Sequence, residues 1–156
     1  SMARLSDLPE WDRHHHLDKI SALPDYGVSP YASGPALSQR RVAIVTTAGL
    51  HVRGDRAFEM ASADYRIIPG DAPAGDVVMS HISVNYDRSG FQEDINVVFP
   101  IDRLRELEAE GAIGSISEFH YSFMGAAQGH TLEAKARELA GMMKKDGVDA
   151  VLLTPV

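Results

Sequence analysis

The sequence predicts an α/β fold: a single three-layer domain with a mainly parallel central sheet and an N-terminal helical arm. Three observations predict it. Short apolar runs rich in β-branched residues recur at Val42–Gly49, Tyr65–Pro69 and Val77–His81, each of strand length. Two stretches of helical period, Ile101–Glu110 and one running from Thr131 to Lys145, alternate with such runs in the second half, and that alternation implies parallel strands covered by helices. Last, Asp149–Val156 is apolar, leucine-rich and β-branched and follows a polar helix that closes at Gly147, the pattern of a strand buried on both faces.

Taken in order, residues 1–40 are expected to form the arm and a wrapping segment, and residues 41–156 the α/β domain. In the arm, Leu5, Leu8, Trp11, His15, Leu17 and Ile20 recur at roughly helical spacing, with Pro9 suited to a first turn and Trp11 expected in core packing. From Leu23 to Ser38 there are three prolines, two glycines and three serines, which read as irregular chain. His14-His15-His16 does not converge on one ion, because consecutive helical side chains point about 100° apart. The first central strand is expected over Val42–Gly49, the next two over Tyr65–Pro69 and Val77–His81, and an extended edge segment over Ile82–Arg88. Pro100 opens a helix whose face is Ile101, Leu104 and Leu107 and whose stop is Gly111. A fourth strand is expected from Ser117 to Phe123, with His120 near its exit. Thr131 is expected to cap the last helix, with Leu132, Ala136, Leu139 and Met143 on its apolar face and Lys144-Lys145 at the negative end of its dipole.

Composition excludes several function classes. A length of 156 residues suits one domain, and a net charge of −7 argues against nucleic acid or an anionic membrane surface as a partner. No apolar run approaches the ~20 residues that span a bilayer. The start shows no basic region followed by an apolar one, so a cytoplasmic location is the default expectation. The chain has no cysteine, which excludes disulfides and thiol chemistry by its own residues.

In open α/β folds, ligands bind beyond the carboxyl ends of the strands. That rule singles out His51, Arg53 and Asp55 in the loop after the first strand, with Arg53 and Asp55 suited to a substrate carboxylate and amine. The loop is not a nucleotide fingerprint, since Gly49 and Gly54 do not make G-x-G-x-x-G. Glu93 and Asp94 are further substrate-binding candidates, as a like-charged pair raising each other's pKa or as caps of backbone amides. His51, His81 and His120 sit at or near expected strand exits and form a candidate metal set, with Glu93 or Asp94 as a carboxylate. Against that, they lack H-x-H or H-x-x-x-H spacing, and each imidazole on its own strand end bonds a local loop equally well.

Four stretches together carry a resemblance: Val45-Thr46-Thr47-Ala48-Gly49-Leu50-His51-Val52-Arg53-Gly54-Asp55, Glu93-Asp94-Ile95-Asn96-Val97-Val98-Phe99-Pro100, Ser122-Phe123-Met124-Gly125, and Asp146-Gly147-Val148-Asp149-Ala150-Val151-Leu152-Leu153-Thr154-Pro155. In this order, over about Val42 to Val156, the chain resembles the selenoprotein B family of the glycine/sarcosine/betaine/D-proline reductases. The resemblance implies a subunit of a reductase that cleaves a C–N bond of an amino-acid-like substrate. It implies a selenocysteine, or a cysteine in its place, just after the Thr-Pro strand and paired with a nearby cysteine. It implies a pyruvoyl group on a partner subunit, and hence a partner reductase subunit or a homo-oligomer. A selenolate is ionised at neutral pH and nucleophilic. This sequence departs from the pattern because it stops at Val156 and offers no cysteine. Either a reading frame has been ended at an in-frame UGA that encodes selenocysteine, so that the chain is truncated, or a paralogue has lost the redox centre. The stop on an apolar strand without a polar tail favours the first. In both cases the chain alone is expected to be inactive. The alternative function is a non-redox metal-binding or small-ligand-binding module using histidines at strand ends.

Overall fold

The computed structural model describes residues 4–25, 27–28, 32–83 and 88–156. The chain divides into two compact units, Ser1–Ala32 and Ser33–Val156. In the first, a short 3-10 turn at Leu5–Asp7 precedes helix α1 (Glu10–Ser21), with Pro9 at the position before its first turn. None of α1's residues is buried, and Trp11 is 73% exposed, which corrects the expectation that it packs in a core. The reason is the spacing: Leu17 and Ile20, three residues apart, share one side of the helix, while Trp11 lies on roughly the opposite side from Ile20 and joins no stripe.

The second unit is a mixed α/β structure. Its strands are β1 (Arg41–Thr46), β2 (Leu50–Val52), β3 (Arg66–Pro69), β4 (Val77–Met79), β5 (Ser115–Ile116), β6 (Phe119–Ser122) and β7 (Ala150–Thr154). Its helices are α2 (Ser89–Glu93), α3 (Ile101–Ala109) and α4 (Gly129–Lys145). β1 is the axis of the main sheet. It pairs in parallel along one edge with β7, from Val42↔Ala150 to Thr46↔Thr154. Along its other edge it pairs in parallel with β5 at Arg41–Val42 and then with β6 at Val45–Thr46. β3 closes the far side, antiparallel to β6. β2 and β4 form a separate antiparallel ribbon.

Alternation along the strands builds the layers. Val42 and Ile44 face a core shared with Leu50, Ile68, Val77, Phe99, Ile101 and Leu104, which brings α3 and the ribbon onto one face. Val45, Tyr121 and Phe123 face the other way, onto Leu132, Leu139, Met142 and Met143 of α4. α3 shows the stop expected of it and buries Ile101 and Leu104 of its expected face, while Leu107 is 38% exposed; α4 packs Leu132, Leu139 and Met143 of its expected face, with Met142 beside them, while Ala136 is exposed. α4 begins two residues before the expected cap, because the Thr131 hydroxyl donates to Gln128 O (2.7 Å) from inside the first turn.

One strand expectation needs correction. Ala150–Thr154 is not buried on both faces: Val151, Leu152 and Leu153 are 40%, 37% and 69% exposed. Among the described residues β7 pairs with β1 alone, so it is an edge strand, and apolar composition records the tendency to be covered rather than the cover itself. Glu93–Pro100 finishes α2, turns through a 3-10 helix at Ile95–Val97 and sends Val98 and Phe99 into the core beside Val42 and Ile44. The expected edge segment Ile82–Arg88 lies in part outside the described residues.

Candidate functional site

The carboxyl ends of β1, β6 and β7 meet at Thr47. Where parallel strands diverge, the backbone ladder runs out of partners, and side-chain hydroxyls replace it. The buried Thr46 hydroxyl donates to Thr154 O (3.2 Å) and accepts from Ala48 N–H (3.1 Å). Ser122 Oγ accepts from Leu50 N–H at 2.8 Å, and the Thr154 hydroxyl donates to Val98 O at 3.1 Å. Thr47 uses every polar group it has. Its N–H donates to Thr154 O (3.2 Å) and its carbonyl accepts from Gly125 N–H (2.8 Å). Its hydroxyl accepts from Val156 N–H (2.8 Å) and donates to Val156 O (3.3 Å). Gly125 lies flush against this turn, since a Cβ added there would stand 2.6 Å from Val156 O and 3.0 Å from Thr47 O.

Gly49 carries the chain from this edge into β2. It has φ +67°, and an added Cβ would meet His81 Cα at 3.0 Å. Its carbonyl accepts from Ser80 N–H at 2.9 Å, and the Arg88 guanidinium donates to His81 O. Burial, with the Arg88 charge nearby, holds His81 below the usual histidine range. Gly49→Ala is therefore expected to lower unfolding free energy by about 1–2 kcal/mol, from left-handed strain plus a backbone clash. Equilibrium urea unfolding measures it, and an unchanged midpoint would contradict the packing.

The structure disperses the residues that the strand-end rule singled out. His51 does not lie in a loop. It is buried in β2 opposite Val78, with Nδ1 3.1 Å from Val52 O. Arg53 donates to Gly75 O (2.9 Å) and lies 3.6 Å from Asp76, while Asp55 accepts from Arg56 N–H (2.6 Å). Both are exposed and serve their own turn. Glu93 is exposed at the end of α2. Asp94 accepts from Asn96 N–H (2.9 Å) and Asn96 Nδ2 (2.8 Å), which hold its carboxyl below the usual range instead of raising it.

His120 is not at a strand exit either. It is the second residue of β6 and fully buried. Its Nδ1 accepts from Ile44 N–H at 2.9 Å and its ring stacks edge-on to Phe99, with centroids 5.5 Å apart. A ring nitrogen that accepts carries no proton, so neutral His120 is protonated on Nε2. That atom is buried without a hydrogen-bond partner among the described residues, facing Gly70. Burial, with Arg105 as a second cause, pushes its pKa down to about 4. Among the described residues no three His, Asp or Glu side chains are placed to hold a metal ion. His51, His81 and His120 do not gather, because His51 belongs to the two-stranded ribbon and His120 to the middle of the main sheet.

The hydroxyl residues Thr46, Thr47, Ser122 and Thr154 and the close-packed Gly125 are the members that titratable-residue reasoning passes over. Their signal was a small or hydroxyl residue directly after each apolar run. Two surface grooves, of about 530 and 430 Å³, lie elsewhere: Gly70, Arg105 and Glu108 line the first, and Ile67, Tyr121 and Met142 the second.

The family described as glycine/sarcosine/betaine reductase selenoprotein B matches residues 23–156. The chain is 41% identical over 121 residues to the D-proline reductase subunit gamma of Acetoanaerobium sticklandii, which covers 76% of this chain and 49% of that protein. It is 33% identical over 124 residues to the betaine reductase complex component B subunit beta of Peptoclostridium acidaminophilum, covering 76% of this chain and 28% of the relative. It is 31% identical over 132 residues to the glycine reductase complex component B subunit gamma of Carboxydothermus hydrogenoformans, covering 81% and 30%. The chain thus spans half or less of the length of these relatives. No solved structure matches it significantly. No helix among the described residues is long and apolar enough to cross a membrane.

Proposed function

This chain belongs to the glycine/sarcosine/betaine reductase selenoprotein B family, and on that premise we propose that it is the scaffold part of an amino-acid reductase subunit whose reducing group acts at the carboxyl edge of the sheet. The observation that carries the reading is the meeting of three parallel strand exits at Thr47, held by hydroxyls and made possible by Gly125. The reaction is reductive cleavage of a C–N bond in an amino-acid-like substrate. The chain has no cysteine, so the selenol or thiol comes from outside this sequence, and a pyruvoyl group on a partner subunit holds the substrate amine. What these residues contribute is a rigid, pre-arranged edge, because a reacting group held in one geometry needs no further ordering. The relatives' names place them in reductase subunits and complexes, which supports a partner subunit. The 41% identity to a D-proline reductase subunit favours D-proline or a similar cyclic amino acid.

The test uses the complete subunit assembled with its partners, a dithiol as reductant, and D-proline, glycine, sarcosine and betaine in parallel. Dithiol oxidation that depends on substrate, fastest with D-proline, is expected, and none from the 156-residue chain alone. Absence of substrate-dependent oxidation with all of them would sink the reading.

A further inference from the structure

We propose that the loop between β2 and β3, residues 53–65, docks the partner subunit that holds the substrate, with Met60 at its tip as the apolar anchor. This rests on the reading above, in which that subunit meets the carboxyl edge of the sheet, but it is tested without turnover.

The loop belongs to that edge. It ends at Arg66, which pairs with Ser122 of β6, and Ser122 pairs in turn with Thr46 of β1. Midway, Phe58 N–H donates to Ser80 Oγ at 2.9 Å, and Ser80 N–H donates to Gly49 O at 2.9 Å. Met60 is two residues further on. The loop is held more firmly than a connection requires. Phe58 is buried, and the Arg66 guanidinium, stacked over its ring at 4.4 Å, donates to the carbonyls of Arg56, Ala57 and Tyr65. Surface loops are ordinarily the mobile part of a domain. This one is ordered in advance, so docking does not have to order it.

The tip is a closed turn. Ser62 N–H donates to Glu59 O at 3.1 Å, and Glu59 N–H donates to Ser62 Oγ at 2.9 Å. Closure puts Ala61 at φ +60°, the only non-glycine in the left-handed region among the described residues. Alanine is strained there where glycine would not be, and such strain persists only where the surroundings fix the backbone. What the strained turn displays is Met60, 79% exposed. A single exposed apolar side chain is ordinary on a protein surface; one on a pinned and strained apex is presented in a fixed place. The tip's chemistry selects the occupant. Methionine is unbranched and polarizable, fits apolar hollows of irregular shape and is enriched at protein interfaces. Arg53 and Arg56 face Asp76 (3.6 Å) and Asp64 (3.3 Å), which leaves neither cation to seek a phosphate. The occupant is therefore a protein surface with an apolar hollow, not nucleic acid or an anionic lipid.

The experiment uses the complete subunit, free and assembled with its pyruvoyl-bearing partner. Dilute peroxide oxidises exposed methionine to the sulfoxide, and peptide mass spectrometry reads the rate at each methionine. Met60 is expected to oxidise at least about tenfold more slowly in the complex, because its sulfur is then covered. Met124, 1% exposed in the chain itself, is expected to stay slow in both. Met60→Glu is expected to raise the Kd for the partner about 30-fold, the effect of losing a central anchor, with an unchanged urea midpoint. Met60→Leu keeps the apolar volume and is expected to stay within about threefold of the parent. The inference is overturned if Met60 oxidises equally fast free and assembled, if Met60→Glu binds like the parent, or if Met60→Leu binds as poorly as Met60→Glu. It is equally overturned if the urea midpoint of Met60→Glu falls together with its binding, since the loop would then serve the fold. Protection of Met60 in the free subunit as its concentration rises would make a second copy the occupant and overturn it too, as would the absence of any complex. The reductase assay is read separately. A protected Met60 without substrate-dependent dithiol oxidation keeps the docking loop and removes the proposed reaction; the reverse result keeps the reaction and removes the docking loop.

Discussion

Arg66→Met is expected to lower unfolding free energy by about 3 kcal/mol and the urea midpoint by roughly 1–2 M. Arg66 is a buried guanidinium, 5% exposed, at the start of β3. Its Nε donates to Arg56 O (2.6 Å), Nη1 to Tyr65 O (2.9 Å) and Nη2 to Ala57 O (3.2 Å). The same group stacks over the Phe58 ring, 4.4 Å from its centroid. The contact with Asp64, at 4.0 Å to a carboxylate that is 43% exposed, adds little. Methionine keeps the stem's packing but leaves these carbonyls without their donor and removes the cation–π contact. Arg66→Lys is expected to recover less than half of the loss, because an ammonium cannot present three fixed donors in a plane. Full recovery by lysine would mean that charge, and not the planar fork, holds the 53–65 loop.

Acidification is expected to cost a comparable amount through His120. Its folded pKa is about 4 against an ordinary 6.5, with burial the main cause and Arg105 the second. The sign follows from the direction: below pH 6.5 the unfolded chain takes up a proton that the native state refuses until about pH 4. Stability is therefore complete above pH 6.5 and falls through that window by about 3 kcal/mol. His81, also held low, acts in the same sense. The carboxylates held low by hydrogen bonds, Asp102 beside Asn96 and Arg105 among them, lose their contribution only further down. His120→Asn keeps an acceptor for Ile44 N–H and removes the titration. Denaturant unfolding between pH 7 and pH 4 is expected to show a much flatter profile in this variant. An equally steep profile would mean that other groups govern acid stability.

The terminal strand shows where apolar composition misleads. Leu153 is 69% exposed in a run that reads as buried, because a strand's own side chains cannot specify whether a further strand or helix covers it. His51 shows the same limit for sites. Its neighbours in sequence place it just past a strand, and its antiparallel partner Val78, 27 residues later, makes it part of a ribbon.

By itself the sequence determined the α/β class, the parallel strands around β1, the stops at Gly111 and Gly147, most of the apolar faces of α3 and α4, and the family stretches. These follow from periods of two and near four and from local steric rules, which neighbouring residues encode. Only the tertiary structure decided that the histidines disperse, that β7 is an edge, and that Thr47 grips Val156 across 109 residues of chain. Those outcomes depend on register between distant strands, and register is set by the packing of whole faces, which no short stretch of residues contains.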